Sequence, residues 1–309
     1  MYKFSAALRF MKTKGVTFVV FGGTGDLMRR KLTPAFADMC HVHKIKQRSR
    51  IIGVARGEYT DESYKKFLID SVSDRDHKAH IRKMDVRFVR GGFREEVLYE
   101  KLQRLLSVCE PSSGCDRIYY LATGFKFFPM IVKNLKKKGL SKSKGYFSRV
   151  VFEKPFGDNL ETNRVVERGV HKTFGESEIY RIDHYLAKDT VRNINILKFF
   201  NPIFYGAFDS EHVESVSVVV DEELGVGNRL GYYNDAGAIK DMIQSHLLQV
   251  LSIVLMERPK QFNHQCVNDE KLRVLKKLKL MKGGRNVLGQ YKSYREELKK
   301  AGLKGKKTE

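Results

Sequence analysis

A glycine-rich turn between a strand-like run and a helix-like run constrains the fold of this chain more than any other feature. The β-branched and aromatic run VTFVVF at 16–21 leads directly into Gly22, Gly23 and Gly25. The segment 27–41 that follows has the apolar spacing of a helix. Such glycines let the backbone turn sharply and approach a pyrophosphate, which the helix N-terminus binds. The spacing is GxxG, so an ordinary strand–helix turn is the alternative for this motif alone.

The alternation of strand and helix continues through the first half of the chain. Further strands are predicted at 50–55, 86–90, 116–122 and 149–152, with helices at 61–73, 95–108 and 129–138. This order predicts an α/β Rossmann-like, doubly wound parallel sheet over 16–175. The pattern then changes, and 176–295 is expected to be an incomplete α+β domain. Its predicted elements are a long helix at 183–200, a strand at 213–220 and an apolar helix at 239–256.

Length and composition agree with two globular domains. The chain has 309 residues, at roughly 150 per domain, and its 42% hydrophobic content excludes a wholly disordered chain. The best apolar run, 247–256, is shorter than the roughly 18 residues of a membrane span, so no span is expected. The cysteines form no CxxC pair, so the sequence predicts neither a zinc site nor a disulfide framework. Scattered thiols in a chain of this length favour a reducing cytoplasm. The four cysteines are Cys40, Cys109, Cys115 and Cys266.

The two chain ends are basic. Residues 1–15 are predicted to form an N-terminal extension, with a targeting peptide as the alternative, because they contain no signal-peptide apolar region. Residues 296–309 are expected to be a basic disordered tail. The whole chain has a formal net charge of +22, which predicts attraction to polyanions or phosphorylated ligands. Nucleic-acid binding is one hypothesis from this charge, but no recognisable nucleic-acid motif accompanies it.

The end of the second predicted strand indicates which dinucleotide the turn would bind. An NAD-preferring site usually has Asp or Glu there to bind the ribose 2′-hydroxyl. This strand ends in Val54-Ala55-Arg56-Gly57. The guanidinium of Arg56 matches the oxygens of a 2′-phosphate, which predicts NADP as the cofactor. A solvated surface charge is the alternative for this residue.

Three later segments could supply chemistry. Lys154 follows the strand at 149–152, at the sheet edge where parallel sheets bind ligands. If a helix begins near Asp183, His184 and Lys188 share one face and predict a phosphate-monoester site, with a surface ion cluster as the alternative. His246 lies within an apolar helix, where a core histidine is the common case. A carboxylate partner would instead suit it to remove a hydroxyl proton.

Taken together, these segments resemble the glucose-6-phosphate dehydrogenase family from about residue 16 to about residue 295. The matching motifs occur in order as FGGTGDLMRRKL, GVARG, RVVFEKPFG, YRIDHYLAKDTVRNI, GYYNDAGAIKDMIQSHLLQVL and NVLGQY. The resemblance implies oxidation of glucose 6-phosphate at C1 by NADP to 6-phosphoglucono-1,5-lactone. This is the first step of the oxidative pentose phosphate pathway, and it implies a cytoplasmic enzyme.

The resemblance also implies a role for each matching residue. His246 would be the general base that takes the C1 hydroxyl proton, and Asp183 would orient it. Lys154 would contact both substrate and cofactor. Three further residues would bind the substrate phosphate, namely His184, Tyr185 and Lys188. Two acids, Glu222 and Asp241, would bind sugar hydroxyls. The cofactor-binding residues would be Gly22, Thr24, Gly25, Asp26, Leu27 and Arg56, and no metal is implied.

The chain departs from the family pattern in sequence and in length. Gly124-Phe125 replaces a common Pro-Pro pair near the nicotinamide, Ser245 replaces an asparagine, and Ala187 replaces a glycine. Family members continue past NVLGQY, so we expect a fragment, a truncated product or one half of a split enzyme. A homo-oligomer or a complementing C-terminal chain is then expected. The alternatives are an inactive remnant that binds NADP or sugar phosphate, and another sugar oxidoreductase, against which RIDHYLxK argues.

Overall fold

The computed structural model describes residues 15–42, 49–111, 114–143, 145–221, 223, 225–280, 287 and 289–305. The chain forms two compact units, of which the first ends at Ile182 and the second begins at Asp183. The sequence analysis places the domain boundary between residues 175 and 176, seven residues before the division between Ile182 and Asp183. The reason is a sixth strand, Ile179–Ile182, that extends the sheet and that the sequence analysis does not predict.

The first unit is built on a six-stranded parallel sheet with the strand order β3-β2-β1-β4-β5-β6. The strands are β1 Val16–Phe21, β2 Arg50–Ala55, β3 Asp85–Arg90, β4 Asp116–Leu121, β5 Ser148–Glu153 and β6 Ile179–Ile182. The order reverses beside β1, and ligands of such sheets bind at the carboxyl ends of the strands at this switch point. The predicted doubly wound parallel sheet is therefore confirmed.

Helices cover both faces of the sheet. They are α1 (Met28–Leu32, a π-helical turn, continued by Thr33–Val42), α2 Asp61–Asp70, α3 Arg75–Lys83, α4 Glu96–Cys109, α5 Phe128–Lys137 and α6 Leu160–His171. Alternate residues of β1 point to opposite faces. Phe18 and Val20 pack with α1, α2 and α3, whereas Val19 and Phe21 pack with α4, α5 and α6. The two apolar cores fix the helix layers around the glycine turn.

One helix of the first unit is absent from the sequence prediction. The segment RDHKAHIRK of α3 is highly polar, and Ile81 is its one buried residue. Its start is fixed by Asp74, whose side chain accepts a hydrogen bond from the backbone N–H of His77 at 2.9 Å. A capping residue therefore defines this helix where hydrophobic periodicity is too weak to predict it.

The described part of the second unit consists of helices without a strand. They are α7 Asp189–Phe200, α8 Pro202–Tyr205, α9 Leu230–Ala238, α10 (Ile239–Leu247, π-helical, continued by Leu248–Leu255), α11 His264–Lys277 and α12 Tyr294–Lys300. The strand prediction at 213–220 is wrong, since the described residues there form no ladder. Val219 is exposed, and none of the described strands pairs with this β-branched run.

The long helix predicted at 183–200 is interrupted. A 3₁₀ turn at Tyr185–Ala187 comes first, Lys188 is extended with ψ of 134°, and α7 begins only at Asp189. The Asp183 side chain accepts a hydrogen bond from the Tyr185 N–H at 2.9 Å, a local side-chain bond that competes with helix formation. His184 and Lys188 therefore do not occupy i and i+4 positions of one helix, and that prediction is wrong.

The expected disordered tail is helical in its first part. Tyr294 and Leu298 of α12 are buried against Leu230. The Tyr294 hydroxyl also donates a hydrogen bond to the side-chain oxygen of Asn234 at 3.0 Å. Tyr294 and Leu298 are thus two apolar residues within a charged segment, and they pack this helix against Leu230. The overall composition of the segment does not indicate this packing.

One helical stretch of the second unit, Leu230–Leu255, meets the length and composition criteria of a membrane-spanning helix. It has 26 residues, and its most apolar 18-residue segment has a mean hydropathy of 1.2 and is 22% buried. The chain kinks within it at Gly237, whose φ is 71°. The sequence analysis expects no membrane span, and a single stretch of this kind is weak evidence for one.

Candidate catalytic and cofactor-binding sites

The glycine turn lies at the carboxyl end of β1 and is fixed to the end of β2. The backbone N–H groups of Gly22 and Gly23 both donate to the Val54 carbonyl, at 2.8 and 3.2 Å. Gly22 has a φ of 89°, and a Cβ there would lie 2.3 Å from the carbonyl oxygen of Ala122. Glycine is therefore required at this position. The predicted cofactor residues of the outer part of the turn are half-buried or exposed, namely Thr24, Gly25, Asp26 and Leu27.

Gly22→Ala is expected to lower the free energy of unfolding by about 2 kcal/mol or more, because it combines backbone strain with a clash against backbone. Thermal unfolding of the variant measures this loss. Gly124→Ala is the matched control, since a Cβ at Gly124 meets nothing within 4 Å. Equal unfolding temperatures for the two variants would contradict the role assigned to Gly22.

Arg56 follows β2 on the same edge of the sheet and is exposed. The nearest acid in sequence, Glu58, forms an ion pair with Arg90. Among the described residues, none makes a hydrogen bond or an ion pair with the Arg56 guanidinium. The fork of Arg56 can therefore serve a phosphate from solution.

Lys154 stands directly after β5 and is half-buried. The carboxylate of its neighbour Glu153 accepts a hydrogen bond from the Tyr120 hydroxyl at 2.6 Å. The Lys154–Pro155 peptide bond is cis. The lysine thus lies at the carboxyl edge of the sheet, the edge at which Arg56 and the glycine turn also lie.

In the second unit, the structure brings His246 and Asp183 together across 63 residues of sequence. Nδ1 of His246 lies 2.7 Å from Oδ1 of Asp183, and the histidine side chain is only 2% exposed. The same carboxylate oxygen accepts the backbone N–H of Tyr185. The Tyr185 ring stacks on the His246 ring at 4.1 Å between centroids with an interplanar angle of 25°. The imidazole is therefore held by a carboxylate and by an aromatic face.

This arrangement suits proton abstraction. A carboxylate at Nδ1 fixes the proton on that nitrogen, so Nε2 carries the lone pair that accepts a proton. The carboxylate also stabilises the imidazolium that forms, as in other carboxylate–histidine pairs. His246 is buried, as a core histidine would be, but it also has the carboxylate partner that a general base requires.

Lys188 and His184 lie beside the pair of His246 and Asp183, which we call the dyad. Nζ of Lys188 lies 3.9 Å from the centroid of the Tyr185 ring. The His184 ring lies 4.7 Å from that of His246 and 4.9 Å from that of Tyr185, edge-on to both. His184 and Lys188 are exposed, so their donors can reach an anion in solvent. The sequence analysis groups these residues correctly in space, although not by the helical spacing it assumes.

The two acids expected to bind sugar hydroxyls have different outcomes. Asp241 is buried on α10, and both of its carboxylate oxygens accept from Nη2 of Arg229, at 2.9 and 3.1 Å. Glu222 lies outside the described residues. The sequence analysis does not predict a role for Arg229, because the local spacing gives no indication that it pairs with Asp241.

The dyad also has the donor types of a metal site. Asp183, His184 and His246 each place one ligand-type atom within 4.8 Å of the others. Nδ1 of His246, however, is engaged by the Asp183 carboxylate at hydrogen-bond distance. The geometry is that of a carboxylate-oriented base, and we interpret the three residues in that way and not as metal ligands.

The sheet order and the glycine turn place the first unit among the dinucleotide-binding domains of dehydrogenases. Family models narrow this class. The model described as "Glucose-6-phosphate dehydrogenase, NAD binding domain" matches residues 19–193, and that described as "Glucose-6-phosphate dehydrogenase, C-terminal domain" matches 195–308. The chain belongs to the glucose-6-phosphate dehydrogenase family, as the motifs of its sequence predict.

Comparisons with individual relatives support this assignment. The glucose-6-phosphate 1-dehydrogenase of Borreliella burgdorferi is 39% identical over 274 residues, which cover 87% of this chain and 56% of the relative. That of Rhizobium meliloti is 36% identical over 287 residues, covering 89% and 57%. A solved structure of glucose-6-phosphate dehydrogenase in complex with its substrate glucose 6-phosphate has a TM-score of 0.78 at 30% identity, covering 85% of this chain and 56% of that one. The chain therefore spans just over half the length of these relatives.

Proposed function

We propose that this chain oxidises glucose 6-phosphate at C1, with transfer of a hydride to NADP, as part of the oxidative pentose phosphate pathway in the cytoplasm. The observation that carries the proposal is the dyad of His246 and Asp183, which lies beside His184, Tyr185 and Lys188. A buried base next to cationic donors is what a reaction on a sugar phosphate requires. Family membership supports the same reaction.

The first unit fits a dinucleotide with a 2′-phosphate. Two features support this proposal. Gly22 has no Cβ, which the tight turn beside the Ala122 carbonyl requires. The Arg56 guanidinium has no partner among the described residues. Arg56 would hold the 2′-phosphate, and the turn residues Gly22, Thr24, Gly25, Asp26 and Leu27 would hold the pyrophosphate region. When bound, NADP supplies a nicotinamide ring that accepts the hydride. We propose NADP rather than NAD because the second strand ends in an arginine and not in an acid.

The residues of the second unit would bind and activate the sugar. Lys188, His184 and Tyr185 would hold the phosphate, and Asp241 and Glu222 would bind sugar hydroxyls. Lys154, of the first unit, would contact the substrate and the cofactor. His246 would take the proton of the C1 hydroxyl at Nε2 as the C1–H bond breaks, which leaves the carbonyl of the lactone. Asp183 would keep Nδ1 protonated and balance the charge gained by the imidazole.

We further propose that a second polypeptide completes the substrate domain. Apolar side chains on α7 and α8 are exposed, among them Phe200 and Ile203 at 57% and 81%. The chain covers 56% of the length of the relative from Borreliella burgdorferi. A complementing C-terminal chain would bury this surface, and a second copy of the present chain is the alternative occupant.

The test is to mix the purified, folded chain with NADP and glucose 6-phosphate and to follow NADPH by its absorbance. Production of NADPH, alone or after addition of the C-terminal remainder of a relative, supports the proposal. A folded sample that yields no NADPH under both conditions contradicts it. If NADP or glucose 6-phosphate then still raises the unfolding temperature, the chain is a binding protein without turnover.

A further inference from the structure

An ion pair on the helix that carries His246 has an exposed half, Arg229, which the proposed mechanism does not use. The side chain of its partner Asp241 is 7% exposed, whereas that of Arg229 is 58% exposed. Nη2 of Arg229 donates to both carboxylate oxygens, at 2.9 and 3.1 Å. The part of this pair that solvent reaches is therefore mainly the guanidinium.

The π-helical geometry of α10 places Asp241 on the same side of the helix as His246. The two residues are five apart, which is the spacing of the hydrogen bonds in a π-helix. In an α-helix, residues five apart would point about 140° away from each other around the axis. Asp241 and His246 are the two buried residues of the π-helical segment Ile239–Leu247. The carboxylate that holds Arg229 and the imidazole proposed as the base thus share one buried face.

Two contacts hold the guanidinium of Arg229 in place. The Asp241 carboxylate binds it through Nη2, and its central carbon lies 5.3 Å from the centroid of the Tyr232 ring, within cation–π distance. Among the described residues, none accepts a hydrogen bond from Nε or Nη1 of Arg229. An arginine side chain has five N–H donors in a rigid plane, so those of Nε and Nη1 remain for a ligand. Donors that are anchored in advance bind at a lower entropic cost than those of a mobile surface arginine.

The charge of the pair indicates which part of a sugar phosphate these donors would bind. Asp241 balances the positive charge of Arg229, so the pair as a whole is neutral and has little attraction for a phosphate dianion. His184 and Lys188, in contrast, are the cationic donors beside the dyad. A neutral hydroxyl oxygen has two lone pairs and accepts readily from a guanidinium N–H. The pair therefore fits the hydroxyl groups of the sugar better than its phosphate.

We propose that Arg229 is a further substrate-binding residue, which donates hydrogen bonds to hydroxyl oxygens of the sugar. The inference rests on the proposed function, whose substrate carries several neighbouring hydroxyl groups. It extends the role proposed for Asp241, because the carboxylate serves the sugar together with the guanidinium that it holds. Local sequence spacing does not reveal this role for Arg229.

The test measures the dissociation constant of glucose 6-phosphate in the absence of NADP, so that it needs no turnover. Arg229→Met is expected to weaken binding roughly 10- to 100-fold, because hydrogen bonds from a charged donor are lost. The 2-deoxy, 3-deoxy and 4-deoxy analogues of glucose 6-phosphate are then bound to both proteins. At least one of them lacks a hydroxyl that Arg229 binds, and it should bind the variant as tightly as the wild type. If Arg229→Met unfolds, Arg229→Lys repeats the series with the charge kept and the planar fork removed.

A second arginine of the same unit provides the matched control. Arg273 on α11 is 68% exposed and donates to the buried carboxylate of Glu270 at 2.9 Å. Arg273→Met should leave the affinity for glucose 6-phosphate unchanged. Asp241→Asn should weaken binding to a similar degree as Arg229→Met. The double variant should lose no more than either single variant, as expected for two residues that act as one unit.

An ion pair that only stabilises the kink at Gly237, between α9 and α10, gives a different result. Arg229→Met would then weaken glucose 6-phosphate and every analogue by the same factor, and that outcome would overturn the inference. Unchanged affinity for glucose 6-phosphate in the folded variant would overturn it as well. If the wild-type chain binds glucose 6-phosphate but forms no NADPH, the proposed oxidation fails and the analogue series still decides the role of Arg229. A wild-type chain that binds no glucose 6-phosphate, alone or with the C-terminal remainder of a relative, contradicts both.

Discussion

His246→Asn is expected to lower kcat by about 10²–10⁴-fold while the dissociation constants of glucose 6-phosphate and NADP stay near their wild-type values. The asparagine amide can still donate a hydrogen bond to Asp183, so the local structure persists. It offers no basic nitrogen at the position of Nε2, so the C1 hydroxyl proton has no acceptor. Steady-state kinetics together with calorimetric binding of each ligand measures the two effects separately.

The chain contains a matched control for this substitution. Nδ1 of His212 also lies 2.7 Å from an aspartate oxygen, that of Asp209, but its side chain is 58% exposed. His212→Asn should leave kcat unchanged. Asp183→Asn should resemble His246→Asn in kcat, because the imidazole loses the carboxylate that fixes its tautomer. Near wild-type turnover in His246→Asn would remove His246 from the mechanism.

The sequence predicts the sheet well because its strands are buried on both faces. Such strands contain runs of apolar residues, which β1, β2, β4 and β5 show as FVVF, IIGVA, IYYL and VVF. β6 has four residues and a half-buried pattern, which gives periodicity too little length to detect. The helix α3 is set by the cap at Asp74 rather than by an apolar stripe.

The grouping of side chains around His246 is predictable only in part. The pairing of Asp183 with His246 joins residues far apart in sequence, and local spacing contains no information about it. The resemblance to a family supplies the pair, whereas the helical argument for His184 and Lys188 is wrong. That argument fails because Asp183 bonds to the backbone of Tyr185 and delays the helix.

The predicted strand at 213–220 illustrates a different limit. A β-branched run is stable as a strand only when another strand or a packed face satisfies its backbone and side chains. No strand partner for this run is found within the described second unit. A local run of β-branched residues therefore cannot by itself establish a strand, because it does not specify a pairing partner.

Arg56→Asp is expected to weaken NADP binding by roughly 100-fold and to leave NAD binding unchanged or improved. A guanidinium forms charge-assisted, bidentate hydrogen bonds with a phosphate, each worth about 1.5–3 kcal/mol. An aspartate repels the 2′-phosphate and can instead accept a hydrogen bond from the ribose 2′-hydroxyl of NAD. Fluorescence or calorimetric titration of both dinucleotides measures the ratio of the two dissociation constants and needs no turnover.

The control for Arg56→Asp is Arg82→Asp, which makes the same charge change at an exposed residue of α3. α3 leads into the start of β3, so Arg82 lies by the amino end of its strand, whereas Arg56 follows the carboxyl end of β2. General loss of positive charge would weaken both dinucleotides in both variants, with NADP affected somewhat more. A specific 2′-phosphate contact predicts a large change in the NADP to NAD ratio for Arg56→Asp alone. If the two variants give the same ratio, the arginine after β2 is a solvated charge, and the preference for NADP must be assigned to another part of the chain.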